Sequence, residues 1–145
     1  MKFLNSLQPL ALLLLRVAIG IIFITHGYPK IARHAAAMQG FFVQHGLPSY
    51  FVYVAGILEL FGGGLLVIGL FTRWAGLLLA IEMAVAIWKV HSGGGILAVS
   101  NYEFPLALLV GCFALAAVGA GMISIDYALL GEGGRRSPSA KPAKK

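Results

Sequence analysis

Four long stretches of this chain are apolar almost throughout, at roughly 9–27, 51–71, 74–91 and 105–124. A bilayer core takes ~20 apolar residues at 1.5 Å rise each, so all four stretches qualify as spans, though the third is a little short. None alternates strictly, each exceeds strand length, and in lipid a single segment satisfies its own backbone only as a helix. The expected fold is therefore all-α: an integral membrane four-helix bundle. Lys2 precedes the first stretch as in a signal peptide, but Arg16 interrupts the apolar run and no small-x-small cleavage site follows cleanly. It reads as a retained helix.

The connections add detail. Only Thr72 and Arg73 separate the second and third stretches, which implies a tight antiparallel hairpin. Between the first and second, Ile31, His34, Ala35, Met38, Phe41 and Phe42 fall on helical spacing, predicting a short interfacial helix between helices 1 and 2. Gly46 and Pro48 end it. The third connection, "HSGGGILAVSNYE", is a glycine-rich turn.

Composition agrees: 59% of the 145 residues are hydrophobic and the mean hydropathy is +0.89. The formal charge of +6 does not imply nucleic-acid binding, because residues 1–131 carry only +2 and the tail supplies the other +4. We read 1–131 as the transmembrane domain and 132–145 as a disordered basic tail. Seven cations against three place both termini in the cytoplasm of a multi-pass protein of the bacterial inner membrane. The one cysteine, Cys112, excludes an internal disulfide or Cys-x-x-Cys pair.

Charges inside the spans are the informative exceptions. Counted from outer ends near residues 27, 51, 91 and 105, Glu59, Glu82 and Arg16 lie about 12, 14 and 17 Å deep. A charge at that depth costs at least ~2.5–3.5 kcal/mol, so Arg16 is expected to face inward and donate to one or both carboxylates. Two acids against one base leave a choice. Either a second cation helps, or one carboxyl holds a proton. Glu59, Arg16 and Glu82 are the candidate catalytic residues on this reading.

Nearer the outer surface, Thr25, His26, Lys30, Lys89, His91, Asn101 and Glu103 outline a polar vestibule. Its candidate ligand-binding residues are His26, Lys30 and Glu103, with Gly62 and Gly63 one turn below Glu59. Those glycines either leave room for a flat ligand or, the stronger expectation, allow close helix packing. No metal motif has diagnostic spacing. Axial haem ligation by His26 and His91 is not expected from two histidines at helix ends.

In order, "LLRVAIGIIFITHGYPK", "FFVQHGLP", "ILELFGGGLLVIGLFTRWAGLLLAIEMAVA" and "NYEFPLALLVGCFALAAVGAGMISID" resemble the DoxX family of small bacterial four-helix membrane proteins. Arg16, His26, Gly27, Lys30, Glu59, Gly62, Gly63, Arg73 and Glu103 match its pattern. "GAGMISID" departs from it, where the family often has Gly-Pro-Gly. The resemblance implies an inner-membrane protein of oxidoreductase systems, with membrane subunits of thiosulfate:quinone oxidoreductase among its relatives. The leading expectation is a quinone-interacting redox subunit that depends on a partner protein, its buried Arg/Glu cluster handling protons. The alternatives are a proton-coupled small-solute carrier, or a structural or assembly protein without catalysis. Expected partners are the lipid bilayer and a redox protein, with a homo-oligomer left open.

Overall fold

A computed structural model describes residues 4, 6–32, 35–91 and 98–130, and these are helical with no strand among them. The helices are α1 (Gln8–Ala32), α2 (Ala35–Gln44), α3 (Phe51–Ile68), α4 (Thr72–Ala86), α5 (Glu103–Val118) and α6 (Ile125–Leu130). A π-helical turn, Ile87–His91, extends α4, and a 3₁₀ turn, Val99–Asn101, leads into α5. Three helical runs, Gln8–Ala32, Phe51–Ile68 and Thr72–His91, are long and apolar enough to cross a membrane, and α5 is shorter. The glycine run of the third connection, Arg33, His34 and the tail 132–145 lie outside the described residues.

Two element boundaries differ from the sequence expectation, and both affect the site. Helix α1 runs through Pro29 to Ala32 rather than ending near residue 27. The proline removes one N–H, yet α1 stays packed on α3 on both sides of it: Gly27 lies against Gly56 and Glu59, and Gly56 against Lys30 and Ile31. Helix α5 stops at Val118, six residues early, because Gly119 and Gly121 adopt left-handed φ angles of 94° and 78°. The tight hairpin is present but displaced. Gly69, in the left-handed conformation, closes α3 by donating to Leu65 O and Leu66 O, and Thr72 and Arg73 already belong to α4.

Helices α1 and α3 form one close pair, α4 and α5 another, and α3 joins α4. Small residues make the close pairs. A Cβ on Gly63 would stand 2.6 Å from Gly20 O, one on Gly20 would stand 2.6 Å from Gly63 O, and one on Gly76 would stand 2.7 Å from Cys112 O. Gly62 accommodates Leu79 at 3.2 Å. With lipid tails as apolar as the side chains, such backbone approach is what holds membrane helices together. Gly63→Val is expected to wedge α1 from α3 and lower stability by ~1–3 kcal/mol, read as a fall in unfolding temperature in detergent.

Between the pairs the core contains Ile19, Phe23, Leu66, Leu79, Leu108, Cys112 and Leu115. Phe61, Trp74, Trp88 and Phe113 are exposed, which suits a lipid-facing surface. Helices α1 and α5 lie farther apart and meet through side chains, Ile19 against Gly111 and the His26 ring near that of Phe104. Below, the lower end is the one with the α3–α4 turn, and the upper end carries Lys30 and Glu103.

Candidate functional site

Glu59 on α3 is 3% exposed, a carboxylate inside an apolar bundle. Its partner is Lys30, whose Nζ lies 2.6 Å from Glu59 Oε2. The extension of α1 past Pro29 makes this contact possible. Gly27 packs against Gly56 and Glu59, so Lys30, one turn higher, reaches back down to the carboxylate. A second cation therefore does help, and it is Lys30.

Arg16 is not in this cluster, contrary to the expectation. It lies eleven residues below Gly27 on the same helix, about 17 Å lower. Its Nη1 donates to Ala120 O at 2.9 Å and its Nη2 to Ile123 O at 2.8 Å. The reason is the early end of α5. Residues 119–124 are irregular backbone, and irregular backbone at such depth is tolerated only where protein groups satisfy it. The side chain is 2% exposed and supplies that satisfaction. Sequence reasoning also missed Asp126, whose carboxylate accepts from Phe71 N at 2.7 Å and Thr72 N at 2.9 Å. It caps α4 from 54 residues away, and only the Ser-x-Asp ending of "GAGMISID" signalled it.

Glu82 is level with Glu59. The contact of Gly62 with Leu79 sets the α3–α4 register, and each glutamate sits three residues higher on its helix. Glu82 is within electrostatic range of both Glu59 and Lys30. Its Oε2 is buried without a hydrogen-bond partner among the described residues.

Above Glu59 a cleft of about 240 Å³ opens between α1, α3, α4, the π turn and α5. Phe23, Met83, Phe104 and Leu108 supply apolar walls, and His26, His91 and Glu59 are its polar lining. His26 Nδ1 is 2.8 Å from Ile22 O, and His91 Nδ1 is 3.1 Å from Ala86 O. The His26 ring centroid also stands 5.9 Å from that of Phe104, across the seam between α1 and α5.

Of the other expected site residues, Gly62 and Gly63 are occupied by helix packing and do not border the cleft. Glu103 is exposed at the start of α5, and its neighbours Phe104 and Pro105 line the cleft instead. Lys89 lies 4.6 Å above the Trp88 ring. Among the described residues, no three His, Cys, Asp or Glu side chains gather as a metal site. The site is thus an apolar slot bordered by two imidazoles and a carboxylate, beside a group of two acids and one base.

The family model described as DoxX matches residues 11–92, which include His26, Glu59 and His91, the polar lining of the cleft among the described residues. A Bacillus subtilis protein named "Putative oxidoreductase CatD" is 38% identical over 84% of this chain and 89% of its own length. An uncharacterized protein of Haemophilus influenzae is 36% identical over 74% of this chain and 75% of its own. An uncharacterized membrane protein of Mycobacterium tuberculosis, Rv3486, is 28% identical over 88% of this chain and 86% of its own. No solved structure matches the chain.

Proposed function

The chain belongs to the DoxX family of membrane proteins, and from that premise we propose that it is a redox-system subunit whose upper cleft holds a quinone-class ring. The observation that carries this reading is the cleft, an apolar slot with His26, His91 and Glu59 as its polar lining. A flat aromatic headgroup needs such walls together with a few polar groups that fix its orientation. Two of its lining residues, His26 on α1 and Phe104 on α5, are exposed on the side of the bundle, the direction from which a lipid-soluble molecule arrives. The oxidoreductase name of the Bacillus subtilis relative is consistent with redox work.

In this reading the Lys30–Glu59 pair and Glu82 carry protons released or taken up at the ring. A buried carboxyl with an oxygen still open to a hydrogen bond is suited to that transfer. Electrons come from a partner protein, because Cys112, the one thiol, is sealed in the core. Arg16 has no part in the chemistry and serves the fold. By the distribution of Lys and Arg, the cleft opens on the far side of a bacterial inner membrane from the cytoplasm, where both termini lie.

Ala86 lines the cleft and is half-buried, so Ala86→Phe fills the slot without cutting a core contact. A photoreactive quinone analogue should label α1 and α5 peptides of the wild-type protein, and labelling should fall about tenfold in Ala86→Phe, the loss of ~1.4 kcal/mol of binding. Equal labelling of both would remove the cleft from consideration.

A further inference from the structure

We propose that the cleft takes its aromatic ligand in the dihydroxy, hydroquinone form, with the two hydroxyls donated to Nε2 of His26 and Nε2 of His91. This rests on the quinone-class reading above and specifies which redox form the site is built to hold.

The chemistry follows from which ring nitrogen is already used. A backbone carbonyl only accepts, so the Nδ1 atoms of His26 and His91, 2.8 and 3.1 Å from Ile22 O and Ala86 O, are the protonated ones. In a neutral imidazole the other nitrogen then carries a lone pair and no hydrogen. Both rings therefore present acceptors. Local structure enforces this: His26 bonds back one turn within α1, and His91 reaches the carbonyl five residues earlier in the π turn.

The third polar side chain of the lining, Glu59, also accepts, and its Oε2 already takes the Lys30 ammonium. Helix α5 borders the cleft with its N-terminus, where donors would be looked for first. There Pro105 has no N–H and the N–H of Leu106 is bonded to Tyr102 O at 2.9 Å, which leaves the first-turn N–H groups of Glu103 and Phe104 as backbone donors while the described polar side chains of the lining accept. A quinone brings two carbonyl oxygens, acceptors that face the acceptor atoms of the described polar side chains. A hydroquinone brings two O–H donors to the same ring shape. A site built to bond a hydroxyl rejects the analogue that lacks it, because its own polar groups are left unpaired.

The test is equilibrium binding of decylubiquinol and decylubiquinone to the purified full chain in lipid nanodiscs, without oxygen. Headgroup size and tail are shared, so the ratio of dissociation constants isolates the hydroxyls. The expected ratio is at least about tenfold in favour of the quinol, falling towards one in His26→Phe and in His91→Phe. Competition with catechol identifies the source: displacement admits soluble diphenols with the same hydroxyl chemistry, and its failure confines the site to a membrane quinol. Equal or tighter binding of the quinone overturns the inference while the quinone-class reading stands. So does a quinol preference that persists in both histidine variants. If neither form binds, the quinone-class reading itself fails, and this inference with it.

Discussion

Arg16→Leu is expected to lower the unfolding temperature of the detergent-solubilised protein by about 10 °C or more. The guanidinium is the donor to Ala120 O and Ile123 O, in the segment where Gly119 and Gly121 turn the chain out of α5. Leucine fills the volume but leaves one buried carbonyl, Ala120 O, and one part-buried carbonyl, Ile123 O, without their donor, at ~1–3 kcal/mol for the buried one. Arg16→Lys should recover only part of the loss, since one ammonium does not reproduce a planar fork aimed at two carbonyls. The reporter is built in: Cys112 is 0% exposed, so a thiol-reactive dye labels it only on unfolding. Bound quinone analogue should be unaffected below the transition. If the variant melts like the wild type and loses ligand binding, Arg16 belongs to the cleft chemistry and not to the fold.

The second large effect concerns the Lys30–Glu59 pair. Lys30→Met should destabilise by ~3–5 kcal/mol, because a carboxylate is left buried without its cation. Glu59→Gln, the reverse deletion, strands the Lys30 ammonium, which at 18% side-chain exposure can turn partly outward. Its cost should be smaller, ~1–2 kcal/mol. The double variant should be close to Glu59→Gln in stability, a positive coupling that a double-mutant cycle measures. Ligand binding should fall in all three variants, because Glu59 lines the cleft and Lys30 holds its carboxylate in place. Additive losses in the cycle would mean that the two side chains do not interact in the membrane. Recovered stability together with normal ligand binding would reduce the pair to a packing staple.

Hydropathy and segment length are local properties, so the all-helical membrane fold and the short helix between α1 and α3 could be read directly from residue order. The level shared by Glu59 and Glu82 could be read too, because a short turn fixes the register of α3 against α4 and leaves little room for error. Depth on α1 could not. Ending α1 near residue 27 misplaced its top by five residues, about 7.5 Å, and that shift accounts for much of why Arg16 came out close in depth to the glutamates. The continuation to Ala32 is decided by tertiary contacts, since packing of α1 along α3 compensates for the one N–H that proline lacks. It lowers Arg16 to the irregular end of α5 and delivers Lys30 to Glu59. Those partners lie 104 to 107 residues away in one case and 29 in the other, and no local pattern encodes such distances. Pattern along the chain reports which side chains avoid lipid, whereas the choice among polar partners depends on helix ends and registers that exist only once the helices are packed.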